Sequence, residues 1–358
     1  MTAVPRRVLV VVTRRIGDVL LATPLIRSLA RAWPQARIEA LVFAGTQGVL
    51  AGNPDLAQVL TVPERPTFAQ HARLLAALFR RYDLALSLIP GDRPTLYAYL
   101  AGRRRIGLLL DRAKDAWKRQ LLHDWVPFDD LDTHTVRMPL ALAARLGIAP
   151  SNDVAVHWTP DDERAVTTLL GDDARPLAVL HVYPKFTYKQ WPAAHWQSLA
   201  RDLAQRGWRL ALTGSRDVDE RAYIDALART LPADTVNAAG RLTLGGSACL
   251  VSRAYCYVGT DTAMTHVAAA LGVPTVALFG PSNPVKWGPW PRGQDVAANP
   301  WVKCGTQHRG NVALVQGSPP CVPCLLEGCD RHVRSVSDCL VTLPPARVLA
   351  ALDRLLQG

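Results

Sequence analysis

The chain has 358 residues, 49% of them hydrophobic, and a net charge of +11. That length and apolar content suit two domains with sizeable cores. With no apolar run of about 18 residues and no signal-peptide pattern, a soluble, cytoplasmic protein is expected. The charge is uneven: residues 1–150 carry 21 Lys+Arg against 12 Asp+Glu, whereas residues 151–358 carry 20 against 18. The first half therefore prefers an anionic partner, such as a membrane surface or a phosphorylated glycolipid. No helix-turn-helix, zinc-finger or RNP pattern is present, so nucleic acid is not expected.

Taken in order, Arg7–Val12 is a β-branched apolar run that predicts a strand, followed by a loop Thr13–Asp18. Val19–Ala32 reads as a helix with Leu21, Leu25 and Leu29 on one face, Pro24 near its start and Pro34 past its end. Strands are expected at Arg37–Phe43, Gln58–Val62 and Leu84–Ile89, with a helix over Phe68–Arg81. The first βα turn holds a single glycine, Gly17, where a dinucleotide-binding fingerprint needs three.

Residues 90–137 concentrate basic side chains, Arg93, Arg103–Arg105, Arg112, Lys114, Lys118 and Arg119, interleaved with Tyr97, Tyr99, Trp117, Trp125 and Phe128. Charge runs of this kind are solvated faces or anion grooves, and arginine forks suit carboxylates and phosphates. A helix over His134–Leu146 closes this half, and Gly147–Asp162 reads as a linker.

The second half opens with a strand at Leu177–Val182 and a loop, Tyr183-Pro-Lys185-Phe-Thr187-Tyr-Lys189-Gln-Trp191-Pro192. A helix over Trp196–Arg206, a strand over Arg209–Thr213 and a helix from Asp217 through Leu231 follow. Asp219 and Glu220 fall in the first turn of that helix, where acidic residues favour the macrodipole in any protein. Asn237–Leu250 reads as a short strand, a Gly-rich turn and a helix.

Ala254–Val258 is a short buried strand, Met264–Leu271 an Ala-rich helix closed by Gly272 and Pro274, and Thr275–Phe279 another strand. Asp261 and Thr262 stand where they can cap the helix, whose free N–H groups make an anion site at the sheet's carboxyl edge. Residues 281–290 hold too much proline for regular structure, and Pro344–Leu356 is an amphipathic helix. Five of seven cysteines follow residue 300, and Cys321-x2-Cys324-x4-Cys329-x9-Cys339 has a spacing that either binds structural zinc or iron or leaves four free thiols.

Two stretches carry a resemblance. Arg15-Ile-Gly-Asp18-Val-Leu-Leu-Ala-Thr-Pro24, with Trp33-Pro34 and Asn53-Pro54, lies in the first half. Asp261-Thr-x-x-x-His266-x-Ala-Ala-Ala-Leu-Gly272-x-Pro274, followed by Phe279-Gly-Pro281, lies in the second. Together they resemble glycosyltransferase family 9, the lipopolysaccharide heptosyltransferases, which use ADP-heptose. The family pattern has Gly where this chain has Ala263; Ala still offers its N–H if its φ is negative.

The resemblance covers nearly the whole chain. It implies an α/β fold of GT-B type: two Rossmann-like, doubly wound domains facing a cleft, with an acceptor domain over 1–155, a nucleotide-sugar domain over 156–340 and a terminal helix over 341–358. It implies inverting transfer of heptose from ADP-heptose to the lipopolysaccharide inner core, with no catalytic cofactor and with peripheral contact at the inner membrane surface. Asp18 takes the role of catalytic base, against the alternative of a helix-capping aspartate. Lys189, with Lys185, Thr187, Asp261, Thr262, Ala263 and His266, contacts the donor diphosphate, and Asp219 or Glu220 the ribose. Arg14, Arg15, Arg93 and Arg105 are the expected acceptor residues. Two other readings stay open: another GT-B nucleotide-sugar enzyme with a different donor, including an epimerase, and a non-catalytic glycan-binding protein.

Overall fold

Continuous buried runs such as Val8–Val12, each residue no more than 1% exposed, demand a strand covered on both faces. The computed structural model, which describes residues 4–357, provides this twice. It separates into two units, one running to Ala155 and taking in Asp295–Ala298, the other holding Val156–Gln294 and the chain from Asn299.

Among the described residues, the first unit comprises β1 (Arg7–Val12), α1 (Ile16–Leu21), α2 (Thr23–Ala32), β2 (Arg37–Phe43), β3 (Gln58–Val62), α3 (Phe68–Leu78), β4 (Tyr82–Ser87), α4 (Asp92–Ala101), β5 (Gly102–Leu109), α5 (Ala116–Leu121), β6 (Asp124–Pro127) and α6 (Arg137–Arg145). Its sheet has the order β3-β2-β1-β4-β5-β6 with every pairing parallel. This is the doubly wound order, in which the chain changes direction between β1 and β4.

The second unit comprises α7 (Pro160–Leu170), β7 (Leu177–His181), α8 (Ala193–Gln205), β8 (Arg209–Leu212), α9 (Val218–Ala228), β9 (Val236–Asn237), α10 (Leu244–Ser252), β10 (Cys256–Thr260), α11 (Ala263–Leu271), β11 (Thr275–Phe279), α12 (Pro284–Trp287), β12 (Gln307–Arg309), β13 (Val312–Gln316), α13 (Asp338–Val341) and α14 (Pro345–Gln357). The sheet order is β12-β13-β11-β10-β7-β8-β9, parallel except for the β12–β13 pair. The switch here lies between β7 and β10. Each unit is thus a Rossmann-like α/β layer with its own core, around Leu9, Leu41, Tyr82 and Tyr97 in the first and around Leu180, Trp191, Trp196 and Leu212 in the second.

Several expectations are corrected. Asp18 does not lie in a loop: it sits in the first turn of α1. The expected helix 19–32 is two helices, because Pro24 has no N–H to give the carbonyl of Leu20. The Thr23 hydroxyl takes that carbonyl instead, at 2.7 Å. The basic stretch conceals α4, α5, β5 and β6; early in β5, Arg103, Arg104 and Arg105 follow Gly102, and their charge hides the buried run Ile106–Leu109. The proline-rich stretch holds the short helix α12, capped by Asn283, and the buried strand β13 carried no expectation.

Candidate active site

Open α/β sheets take ligands at the carboxyl ends of strands flanking the switch point. In the second unit these are β7 and β10. The loop after β7 is held from behind. Trp191 is fully buried, donates its indole N–H to the Leu343 carbonyl at 2.9 Å and meets Trp196 edge-on at 4.8 Å. The Ser337 hydroxyl donates to the Tyr188 carbonyl at 2.6 Å. These anchors fix the turn Thr187–Lys189, and the Lys189 Nζ lies 2.5 Å from Asp261 Oδ2.

Asp261 follows β10 and is 9% exposed. Burial pushes its carboxyl up, but the Lys189 ammonium, the Ser282 hydroxyl and His266 outweigh burial and hold it below the usual carboxylate range. Burial, aided by Lys189 and opposed by Asp261, pushes His266 down to about 4, so its imidazole is neutral at pH 7. Its Nδ1 is buried and has no hydrogen-bond partner among the described residues.

The turn between β10 and α11 is built on close contacts. A side chain at Gly259 would meet the Tyr257 hydroxyl at 2.4 Å. That hydroxyl lies 3.1 Å from Thr265 Oγ1, which donates to the Thr260 carbonyl at 2.5 Å. Neither Asp261 nor Thr262 caps α11 as expected: Thr262 is the N-cap residue but makes no side-chain cap bond. The N-cap side chains Thr159, Asp217 and Thr243 all cap their helices. α11 therefore leaves first-turn amides for a ligand, where the helix dipole favours an anion. Ala263 is the first residue of α11 and is not among the residues with positive φ, so its N–H points as a glycine's would.

The remaining expected donor residues lie on the same edge with looser fixation. Lys185 is exposed and Thr187 half-buried. Asp217, not Asp219 or Glu220, caps α9; Glu220 accepts from the Ser215 hydroxyl and Asp219 is exposed.

In the first unit the corresponding edge carries Asp18, Arg14 and Arg15 after β1 and Arg93 in the first turn of α4, after β4. Asp18 lies 3.7 Å from Arg14 Nε, with side-chain exposures of 10% and 50%. Arg93 donates to the Glu64 carbonyl at 2.7 Å. Arg105 is set apart from this group. It pairs in register with Ala85, and Ala85 with Leu9, towards the opposite edge, where its guanidinium reaches His123 and lies 4.9 Å from the Tyr99 ring centroid. Two cations of the expected basic groove are internally neutralised: Lys118 is buried between Asp115 and Asp92, and Arg119 pairs with Asp111.

The sequence leaves the cysteine cluster open between a metal site and free thiols. Cys321, Cys324, Cys329 and Cys339 are free thiols. Burial, then the neighbouring Cys324, Cys329 and Cys321, push Cys339 up to about 12. Yet among the described residues no three His, Cys, Asp or Glu side chains form a group that could hold a metal ion. The sulfur of Cys329 instead accepts the Asp338 N–H at 3.4 Å, and Cys339 is packed with Leu340 against Gly280.

Sequence reasoning missed Ser282, Tyr257, Thr265 and Ser337. Ser282 follows Phe279-Gly-Pro281 directly, so that motif was its available signal; a hydroxyl from residue 337 on a loop at residue 188 had none.

Comparison with known proteins follows the same lines. The family model for glycosyltransferase family 9 (heptosyltransferase) matches residues 72–313. Lipopolysaccharide heptosyltransferase 1 of Pseudomonas aeruginosa is 29% identical, with 98% of each chain covered. Two solved structures from E. coli share the fold at 21% identity: ADP-heptose lps heptosyltransferase II, with a TM-score of 0.75 and 98% of each chain covered, and heptosyltransferase WaaC with ADP, with a TM-score of 0.74 over 98% of this chain and 99% of that one. The architecture is GT-B, and the chain belongs to glycosyltransferase family 9, the heptosyltransferases.

Proposed function

We propose that this enzyme transfers a heptose from ADP-heptose to the inner core of lipopolysaccharide with inversion at the anomeric carbon. The observation that carries the reading is the Lys189–Asp261 pair at the β7–β10 switch point, beside a helix whose first-turn amides have no side-chain cap. The solved relatives support the donor: one is named for ADP-heptose and another holds ADP. In this reading the second unit receives the nucleotide sugar and the first the acceptor.

The acceptor hydroxyl oxygen bonds to the anomeric carbon as the bond from that carbon to the diphosphate breaks. Asp18 takes the hydroxyl proton, and ADP leaves with the electron pair. Lys189 and the amides of α11 offset the charge growing on the diphosphate. Asp261 holds Lys189 in place, and neutral His266 keeps a second positive charge away from it. Arg14, Arg15 and Arg93 meet acidic groups of the acceptor. Among the described residues no helix is long and apolar enough to cross a membrane, and we place the enzyme in the cytoplasm with peripheral contact at the inner membrane.

The test is ADP release from ADP-heptose with and without a heptose-deficient lipopolysaccharide acceptor. Release that depends on the acceptor, with heptose recovered on the glycolipid, is the predicted result. Turnover of nucleotide sugar without acceptor would replace transfer with hydrolysis or epimerisation.

A further inference from the structure

Helix α3 buries only one of its sides. Leu78 is buried, Leu74 and Leu75 pack partly buried against the core, and His71 meets Tyr97 edge-on at 5.6 Å. Away from that side, apolar groups face out. Phe68 is 90% exposed, and Phe79, the C-cap residue, is 64% exposed. Ala72 and Ala76 are exposed between them. At about 100° per residue, Phe68, Ala72, Ala76 and Phe79 fall within one sector of about 80°, and at about 1.5 Å per residue the two rings stand about 16 Å apart along the axis. Folding gives these rings nothing to pack on, and a lone helix face with an aromatic at each end is unlike scattered surface apolars.

The surround is cationic. Residues 56–82 hold Arg65, Arg73, Arg80 and Arg81 against one carboxylate, Glu64. Arg65 and Arg73 are exposed, and among the described residues neither forms an ion pair. Arg80 is exposed and donates to the Gly102 carbonyl at 3.3 Å. A second copy docking on this face would set its own arginines against these. An anionic phospholipid surface meets both features at once, because its headgroup boundary accepts aromatic rings and its phosphates accept guanidinium groups.

We propose that α3 docks the enzyme on an anionic phospholipid surface, with Phe68 and Phe79 entering the headgroup–acyl boundary and Arg65 and Arg73 meeting lipid phosphates. The inference rests on the peripheral membrane contact proposed above and names the surface that makes it; it stands apart from the donor chemistry, since the surface would work for any lipid-borne acceptor.

The experiment is flotation of the full chain with vesicles of phosphatidylcholine containing about one third phosphatidylglycerol, beside pure phosphatidylcholine vesicles. The wild-type chain should float with the anionic vesicles and stay behind with the neutral ones. Phe68→Ser with Phe79→Ser should lower vesicle partition about ten-fold or more, while melting and ADP binding in solution stay at wild-type values. Arg65→Ala with Arg73→Ala should remove the preference for phosphatidylglycerol. If the double serine variant does not fold, Phe68→Ser alone carries the test. Absence of wild-type binding to the anionic vesicles, or unchanged partition of these variants, would overturn the proposal. Self-association that Phe68→Ser abolishes, in place of vesicle binding, would overturn it too.

Discussion

At the carboxyl end of β10, Asp261 is buried with its carboxylate 2.5 Å from Lys189; at the carboxyl end of β1, Asp18 lies 3.7 Å from a half-exposed Arg14. Both aspartates occupy the switch edge of a doubly wound sheet, yet their surroundings suit different work. Asp261 is locked as an anion and serves as scaffold for a cation. Asp18 lies beside a cation that is itself half open to solvent, and the proposed reaction gives it the acceptor's proton. The edge proposed for the donor is anchored by Trp191, Ser337 and the Tyr257–Thr265 contact, whereas the edge proposed for the acceptor carries Arg14, Arg15 and Arg93. In the proposed reaction, the fixed Lys189–Asp261 pair pre-organises the charge that meets the leaving diphosphate.

The largest expected effect separates the two aspartates by chemistry. Asp18→Asn keeps the shape of the carboxylate and removes its basicity, so transfer should fall about 10²–10⁴-fold with melting and ADP binding near wild type. If Asp18 served only the helix, Asn would be harmless and Ala would lower stability alone. Steady-state transfer and thermal unfolding of both variants decide this, and wild-type transfer by the Asn variant would remove Asp18 from the mechanism.

Stability separates them in the opposite sense. Asp261→Asn strips the partner from a mostly buried lysine and should cost about 2 kcal/mol, less than for a fully buried pair because Lys189 is 20% exposed. Asp18→Asn should cost less, since its partner Arg14 is half exposed and pairs opened to solvent contribute about 0–1 kcal/mol. Urea unfolding of the two variants measures the contrast; equal losses would make the two sites alike.

The donor edge should also be the pH-sensitive one. His266 and His181 are both held down at about 4 by burial. An unfolded histidine takes up a proton near pH 6.5, which the folded state does not accept until about pH 4. Stability should therefore fall as pH drops through this window, by about 1.4 kcal/mol per pH unit for each histidine. Replacing either by Gln should remove its share of the slope between pH 6.5 and 5, where carboxylates contribute least. An unaltered slope would show that these rings are not kept neutral.

How much of this was legible in the sequence follows from distance along the chain. The β10–α11–β11 unit, its Gly272 close and the Lys189 loop are local patterns, and they fold where their spacing places them. Asp18 is expected at the end of a loop and lies in the first turn of α1, because the helix begins at Ile16, three residues before the expected start, and ends at Leu21, ahead of the break at Pro24. β5 was hidden since strand patterning fails where Arg103–Arg105 dominate, and Arg105 lies within that strand. The Ser337–Tyr188 bond joins residues 149 apart and left no local trace. The cysteine spacing leaves metal and free thiols open; the Cys329 sulfur accepts a backbone N–H, Cys339 is buried, and among the described residues no three His, Cys, Asp or Glu form a metal-holding group. The smallest effect follows: chelator treatment should leave the unfolding midpoint unchanged, and a drop in midpoint with metal released would restore the tetrathiolate.

The central claim is that Lys189, positioned by Asp261, binds the diphosphate of an adenosine-linked donor. Calorimetric titration of ADP and UDP into the wild-type chain and into Lys189→Ala tests it directly. The account predicts tighter binding of ADP than UDP, and a loss of about 1.5–3 kcal/mol, or about 10- to 150-fold, in ADP affinity on removing the ammonium. Equal ADP affinity in the two proteins, or a preference for UDP, would contradict it.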